Sequence, residues 1–144
     1  MADILCATCG LAAERVIVKT DAGSVAVPAG SVRPGHVMVV SAAHAASLSE
    51  LSEPAAAAFM LLLGAAMRAA ERATGQAHCY ALRIGDRFPH LHWHLVPRVE
   101  GDPALAPFVF GDAGWSAGAH ASGPLAADAF DAAFAKALRV PGSP

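Results

Sequence analysis

The segment HLHWHLV, residues 90–96, limits the possible folds of this chain more than any other, because polar and apolar residues alternate along it. A period of two is typical of a half-buried β-strand, in which successive side chains point to opposite faces. His90, His92 and His94 would then share one face at steps of about 6.6–6.8 Å, and the intervening side chains would face a core. Each neutral imidazole needs partners for one donor and one acceptor, so packing alone is a costly explanation for three of them.

Two kinds of chemistry remain open for such a row. A zinc ion, with Zn–N bonds of about 2.0–2.1 Å, could take two neighbouring imidazoles of an H-x-H pair. The whole row spans about 13 Å, which is too long for one ion. Alternatively, one imidazole is a nucleophile and its neighbours stabilise charge on a phosphoryl group. In either case we expect the three histidines to have different roles.

The rest of the 144-residue chain predicts one α+β domain over residues 1–144, with an antiparallel sheet of about five strands and a helix against one face. Val-rich and apolar segments bounded by Gly and Pro predict the other strands. The predicted strands are 14–20, 24–30, 37–40, 79–85 and the triad strand 90–96. The last two are separated by DRFP, a length typical of a hairpin loop.

Two helices complete the prediction. Ser52 is a suitable N-cap for a long central helix, apolar residues recur after it at spacings of three and four, and Gly75 is a natural stop. Residues 125–140 predict an amphipathic C-terminal helix. It belongs to a C-terminal extension, residues 101–144, that begins with an irregular stretch rich in Gly, Pro and Ala.

Composition argues against several classes of protein. The formal net charge of −2 gives no general attraction to nucleic acid polymers or membranes. The most apolar window, AAAAFMLLLGAAM, is shorter than the roughly 18 residues of a membrane span and is followed by charged residues. The N-terminus lacks the features of a secretory signal, so we expect a cytoplasmic protein. A reducing compartment disfavours stable disulfides.

Cys6 and Cys9 form a C-x-x-C pair within the N-terminal segment 1–10. This spacing lets two thiolates share a tetrahedral ion, and a redox pair is the alternative, although redox pairs usually lie between a strand and a helix. Cys79 stands alone in an apolar strand and is most simply a small core residue.

Together these landmarks resemble the histidine triad (HIT) family of nucleotide hydrolases and transferases. The family motif is His-φ-His-φ-His-φ-φ, with φ apolar, and HLHWHLV fits it at every position. The segment RPGHVMVVSAAH, residues 33–44, looks like the PGH–strand–His segment of the family, and the order of landmarks holds from CATC to VPRVEGDP. The short connection before the triad resembles a bacterial branch of the family.

The resemblance implies a covalent mechanism. The middle histidine, His92, would attack the α-phosphorus of a nucleotide and form a nucleotidyl-histidine, with its other ring nitrogen bonded to a backbone carbonyl, expected to be that of His90. His94 would contact the phosphate oxygens or the leaving group, and His36 corresponds to a fourth histidine near the site, unless it is only a turn residue. Implied substrates are dinucleoside polyphosphates, nucleoside phosphoramidates or other nucleotidyl conjugates, in some relatives with magnesium bound to the polyphosphate. The resemblance also implies a homodimer.

Several HIT branches bind a structural zinc ion through two N-terminal cysteines and two histidines. The corresponding residues here are Cys6, Cys9, His44 and His90, and all four positions are filled. The resemblance therefore implies a closed Cys2His2 zinc site that holds the N-terminus against the sheet, with free surface thiols as the alternative.

The chain also departs from the family pattern. Asp86 stands where the short-loop branch usually has Asn, and beside a phosphate it would need a neighbouring arginine such as Arg87. Both are candidate substrate-binding residues, or simply charges on a turn. Pro28 replaces the acidic residue that often holds the ribose. Arg98 follows the triad and either binds phosphate or pairs with Glu100.

Two other functions stay open. One is a metal-dependent hydrolase that uses the His-x-His pair with an outside carboxylate. The other is a nucleotide-binding protein without catalysis, which the missing acidic residue at Pro28 would suit.

Overall fold

The computed structural model describes residues 1–31, 33, 35–75, 79–83, 85, 87–98 and 127–139. These residues form seven strands, two α-helices and one short 3₁₀ turn at Leu48–Glu50. The strands are β1 (Asp3–Cys6), β2 (Leu11–Ala13), β3 (Arg15–Lys19), β4 (Gly23–Val27), β5 (Val37–Ser41), β6 (Cys79–Leu82) and β7 (His92–Pro97), and the helices are α1 (Glu53–Thr74) and α2 (Ala127–Ala137).

Five strands make one sheet in the order β3-β4-β5-β7-β6, and every neighbouring pair is antiparallel. β7 therefore has a partner on both sides, β5 and β6. Its register with β5 places His94 opposite Met38 and His92 opposite Val40. β1 and β2 form a separate two-stranded hairpin. The predicted α+β class, with an antiparallel sheet, a long helix and a C-terminal helix, is confirmed.

Helix α1 begins and ends as its sequence predicts. The Ser52 side chain accepts a hydrogen bond from the Ala55 amide, which satisfies one of the free N–H groups of the first turn. Gly75 ends the helix in the left-handed conformation, with φ of 70°. Nine residues of α1 are buried: Phe59, Leu62, Leu63, Ala65, Ala66, Ala69, Ala70, Ala73 and Thr74.

The two faces of the sheet bury different sets of side chains. Val25, Val37, Val39 and Leu95 pack under α1 and α2 in the larger core cluster. The alternate residues of β4 and β5 point to the other face, where a smaller cluster joins the sheet to the hairpin. That smaller cluster consists of Leu11, Ala13, Ala26, Met38 and Val40. His92 and His94 share this second face, because they are paired with Val40 and Met38.

Helix α2 is fixed to the edge strand β3 by a charged pair. Arg15 donates from Nε and Nη2 to the two carboxylate oxygens of Asp131, at 2.5 and 3.0 Å. This bidentate geometry is the strong form of the arginine–carboxylate interaction. Phe130 and Phe134 of α2 are buried in the core beside it.

α1 is long and apolar enough to cross a membrane by length and composition. In this structure, however, it is the core helix of the domain and packs against the sheet and α2. One side of this apolar helix is therefore buried in the core, although Met60 and Leu61 on the other side stay exposed.

The sequence did not predict the hairpin β1–β2, whose strands are too short to show a period. Two predicted bounds also differ. Regular pairing of the triad strand begins at His92, because the Leu91 backbone bonds instead to Ala45 and Ser41. β6 ends at Leu82, earlier than the predicted end at residue 85, and β7 begins at His92. Of the C-terminal extension, only residues 127–139 are among those described.

Gly35, which precedes His36, has a φ of +84° and no room for a side chain. A Cβ there would lie 2.9 Å from Pro97 Cγ and 3.0 Å from Thr74 Cγ2. Gly30 has a similar φ of +72°, but a Cβ there would meet nothing within 4 Å. Substitutions at Gly30 and Gly35 therefore distinguish the cost of backbone strain alone from the cost of strain together with steric overlap.

We predict that Gly35→Ala lowers the free energy of unfolding by more than Gly30→Ala. Both substitutions bear a left-handed backbone cost of about 1–2 kcal/mol, and only Gly35→Ala adds overlap with packed side chains. Urea unfolding of both variants measures the difference. Equal destabilisation would contradict the close packing at Gly35.

Candidate functional site

His92 lies at the start of β7 on the sheet face opposite the helices, and it is 7% exposed. Its Nδ1 lies 2.6 Å from the carbonyl oxygen of His90, so Nδ1 carries the proton and donates it. The other ring nitrogen, Nε2, is then left with its lone pair. This is the backbone hydrogen bond that the family resemblance implied for the middle histidine.

His36, which is buried, and His94, which is half-buried, form a pair beside His92. Nε2 of His36 lies 2.9 Å from Nδ1 of His94, so one of these nitrogens donates to the other. Burial and, to a smaller extent, the neighbouring His94 together lower the pKa of His36 to about 3. Burial likewise lowers the pKa of His94 to about 4, with a contribution from His92. Both rings are therefore neutral near pH 7, where they can share this hydrogen bond.

A cleft of about 570 Å³ opens over His92 and His94. Its remaining walls come from the N-terminal hairpin, the end of β4, β5 and the segment before the triad. The residues that line it are Gly10, Leu11, Ala12, Pro28, Ala29, Met38, Gly85, Arg87, Phe88, His92 and His94. An apolar cavity with a few convergent polar groups is the usual form of a small-molecule site.

Cys6, Cys9, His44 and His90 come together at one end of the triad. Cys6 Sγ lies 3.4 Å from Nδ1 of His44, and Cys9 Sγ lies 3.7 Å from Nδ1 of His90. The four potential ligand atoms all lie within 4.8 Å of one another. Two thiolates and two imidazoles in this spacing fit the Cys2His2 donor set of a tetrahedral metal ion, so this cluster can hold a metal.

Two further contacts suit metal binding. The Nε2 atom of His90 lies 2.8 Å from the Ser41 carbonyl oxygen and donates a hydrogen bond to it. Nδ1, which faces Cys9, therefore has the lone pair that a metal ligand needs. The pKa of the Cys6 thiol is lowered to about 6, chiefly by a hydrogen bond from the backbone N–H of Cys9. Burial raises this pKa by a smaller amount, and hydrogen bonds with side chains including His90 and His44 contribute to lowering it. A thiol of low pKa supplies the thiolate that a metal requires.

The predicted substrate-binding residues do not all lie at the cleft. Arg87 lines it. Arg98 is not among the described lining residues, and its Nε donates to the Tyr80 hydroxyl at 3.2 Å. Asp86, like Glu100, lies outside the described residues, so roles for Asp86 and Arg98 stay predictions.

Several residues of the site were missed by the sequence interpretation. Met38 and Phe88 line the cleft, and the alternation along β5 could have placed Met38 on the histidine face. Arg33 is buried and donates from Nη1 to the Pro97 carbonyl oxygen at 2.9 Å, which fixes the segment before His36 against the end of β7. No periodic signal marks a buried arginine in a turn.

The comparisons with known proteins agree with this geometry. The HIT domain model matches residues 11–101. A HIT-like protein of Bartonella henselae, described as involved in cell-cycle regulation and solved with an unknown ligand, has a similar structure with a TM-score of 0.62 and 14% identity. The alignment covers 86% of each chain. A hypothetical histidine triad nucleotide-binding protein of Sulfolobus tokodaii gives a TM-score of 0.61 at 16% identity, over 85% of this chain and 82% of that one.

A comparison with curated protein sequences finds no match. The structural neighbours share too little sequence to show more than the fold, but the domain match spans the sheet, α1 and the triad. This chain therefore belongs to the HIT family.

The pair His36–His94 predicts a pH-dependent stability. An unfolded histidine takes up a proton near pH 6.5, whereas these two resist protonation until about pH 4 and 3 because burial lowers each pKa. Their contribution to stability is thus complete above pH 6.5 and is lost as the pH falls toward 4. The expected slope is about 1.4 kcal/mol per pH unit for each histidine that stays neutral.

Urea unfolding between pH 7 and 4.5 measures this slope. The double variant His36→Gln/His94→Asn keeps polar atoms near the two bonded nitrogens but cannot titrate, so its stability should fall less steeply than that of wild type. The metal-binding histidines contribute equally to both proteins. An identical slope in both would contradict the neutral buried pair.

The cysteine–histidine cluster predicts selective loss of metal. Cys9→Ser should reduce bound metal, measured by elemental analysis and native mass spectrometry, and should lower the melting temperature. Cys79→Ser is the matched control, because Cys79 lies in the core away from the cluster and burial raises its pKa to about 11. If Cys79→Ser loses metal equally, or if Cys9→Ser keeps it, the four-residue site is wrong.

Proposed function

We propose that this protein is a nucleotide hydrolase or nucleotidyl transferase that acts at an α-phosphorus through a covalent intermediate on His92. The observation that supports this best is the 2.6 Å hydrogen bond from His92 Nδ1 to the His90 carbonyl oxygen. It fixes the tautomer in which Nε2 has a lone pair, on a residue that lines the cleft.

The proposed chemistry has two displacements. In the first, the Nε2 lone pair of His92 forms a bond to phosphorus while the bond from phosphorus to the leaving oxygen or nitrogen breaks. Positive charge develops on the imidazole, and the His90 carbonyl stabilises it through the Nδ1 proton. In the second, water or another acceptor attacks phosphorus and gives up one proton to solvent, while the P–N bond to His92 breaks and its electron pair returns to Nε2.

The neutral pair beside His92 would supply charge stabilisation. If His36 Nε2 donates to His94 Nδ1 across their 2.9 Å contact, then the proton of neutral His94 lies on Nε2. From there it can donate to a phosphoryl oxygen or to the leaving group of the first displacement. Arg87 at the cleft is the described cation best placed to add to this, and Arg98 is a further candidate cation from the sequence. Asp86 stays a candidate substrate-binding residue whose carboxylate would need Arg87 beside it.

The substrate class follows from the same site. We propose dinucleoside polyphosphates, nucleoside phosphoramidates or related nucleotidyl conjugates, with magnesium bound to the substrate where it is a polyphosphate. The mostly apolar walls suit a nucleobase or another flat apolar group attached to the reacting phosphate.

We further propose that the metal held by Cys6, Cys9, His44 and His90 is zinc with a structural role. When bound, it would supply a fixed tetrahedral centre that joins the N-terminal hairpin to the triad segment. The geometry disfavours a hydrolytic metal on the His-x-His pair, because His90 directs Nδ1 toward Cys9 while His92 directs Nδ1 to a backbone carbonyl.

Nucleotide binding without turnover is the second candidate. It is favoured by one observation, that Pro28 and Ala29 line the cleft where relatives often place an acidic residue.

A cytoplasmic location and a homodimer complete the proposal, and the exposed Met60 and Leu61 of α1 offer apolar surface for self-association. Light scattering of purified wild type should give twice the chain mass, and a monomer at micromolar concentration would contradict the dimer.

The covalent step predicts a mass increase of one adenylyl group. Brief incubation with adenosine phosphoramidate or a diadenosine polyphosphate, followed by intact-protein mass spectrometry, should detect it in wild type and not in His92→Ala. Substrate turnover in His92→Ala should fall at least about 10³-fold, because the nucleophile is removed.

EDTA-treated protein separates the alternatives. If turnover survives in His92→Ala or disappears on chelation while the fold is intact, the metal-dependent hydrolase becomes the better description. If wild type binds AMP but forms no adduct and turns over neither substrate, nucleotide binding without catalysis is favoured.

A further inference from the structure

The hairpin β1–β2 contributes to two sites at once. Its turn carries Cys9, which belongs to the metal cluster. The next three residues, Gly10, Leu11 and Ala12, line the cleft over His92 and His94. A change at the metal cluster therefore acts within one to three residues of a cleft wall.

Apart from this cluster, the hairpin is held to the sheet mainly through β2 and through Asp3. It is a separate pair of short strands, and an isolated two-stranded hairpin is marginal in water. Leu11 and Ala13 of β2 pack against Ala26, Met38 and Val40 of the sheet. β1 buries less apolar surface than β2, since Ile4 is 71% exposed. At the end of the hairpin away from the turn, Asp3 accepts a hydrogen bond from the Val16 amide. At the turn end, beside the cleft, Cys6 and Cys9 contact His44 and His90.

The catalytic histidines, in contrast, have supports that do not involve the hairpin. His90 is held by the Ser41 carbonyl through Nε2, and the Leu91 amide donates to the Ala45 carbonyl oxygen at 2.6 Å. The bond from His92 to His90 lies within that segment, and His94 is held by His36.

We propose that the hairpin β1–β2 is a substrate-contacting wall whose position is set by metal at Cys6 and Cys9, so that metal occupancy controls affinity for the apolar part of the ligand. In this wall Gly10 is exposed and Ala12 is half-buried, and Ala12 is a specificity-determining position. The inference rests on the proposed nucleotide site. It extends that proposal by separating the group that contacts the apolar moiety from the groups that contact the phosphate.

The test measures AMP binding by calorimetry and by ¹H–¹⁵N NMR, with zinc-loaded wild type, the double variant Cys6→Ser/Cys9→Ser and the control Cys79→Ser. In wild type and in the control, AMP should shift the amide signals of Gly10 and Ala12 together with those of His92 and His94. In the double variant the histidine signals should still respond, the hairpin signals should not, and AMP should bind about tenfold more weakly, as expected for loss of one apolar contact surface.

Ala12→Phe provides a second test with the metal retained. The larger side chain should change AMP affinity by several-fold while metal content and melting temperature stay at wild-type values, which tests the wall contact itself. If the double variant fails to fold, zinc-depleted wild type replaces it as the test of the metal dependence. Unshifted hairpin amides in wild type, or equal AMP affinity in all variants, would overturn the inference while leaving the proposed function intact. No AMP binding to zinc-loaded wild type would overturn both.

Discussion

The geometry of this site depends on how one residue, His90, divides its polar atoms. Its Nε2 donates to the Ser41 carbonyl, its Nδ1 faces Cys9, and its own carbonyl accepts from His92. Each of these contacts fixes a different property: the ring orientation, the metal donor atom and the tautomer of the neighbouring histidine. Because β7 starts only at His92, the His90 carbonyl accepts from a side chain rather than from the sheet ladder.

The second constraint is a pair of neutral histidines beside His92, of which His36 is buried and His94 is half-buried. His36 and His94 satisfy each other across 2.9 Å, so neither ring loses its hydrogen bond on desolvation. Their lowered pKa values keep positive charge out of the pair near pH 7. Neutral His94 still has one N–H group, which can donate a hydrogen bond to an anionic ligand. Gly35 and Arg33 hold the turn that delivers His36 to this position.

The sequence predicted the elements that are marked by a pattern along the chain or by a family motif. The caps of α1 at Ser52 and Gly75, the strands of the main sheet and the cluster of four residues that can hold a metal could be identified from spacing or from family resemblance. The hairpin β1–β2 could not, because strands as short as Leu11–Ala13 carry no period, and their pairing depends on packing against Met38 and Val40. The orientation of Arg98 toward Tyr80 also depends on a tertiary contact that spacing along the chain does not encode.

The edge strand β3 has a consequence for association with other chains. An open edge exposes unpaired N–H and C=O groups on which a foreign strand can add. Here Asp3 accepts a hydrogen bond from the Val16 amide, the pairing with β4 shifts register between Val16 and Val18, and Arg15 is engaged with Asp131. Each feature makes the β3 edge less regular and so less suitable for pairing with a foreign strand. The same contacts that fix α2 and the N-terminal hairpin thus protect this edge from intermolecular strand addition and aggregation.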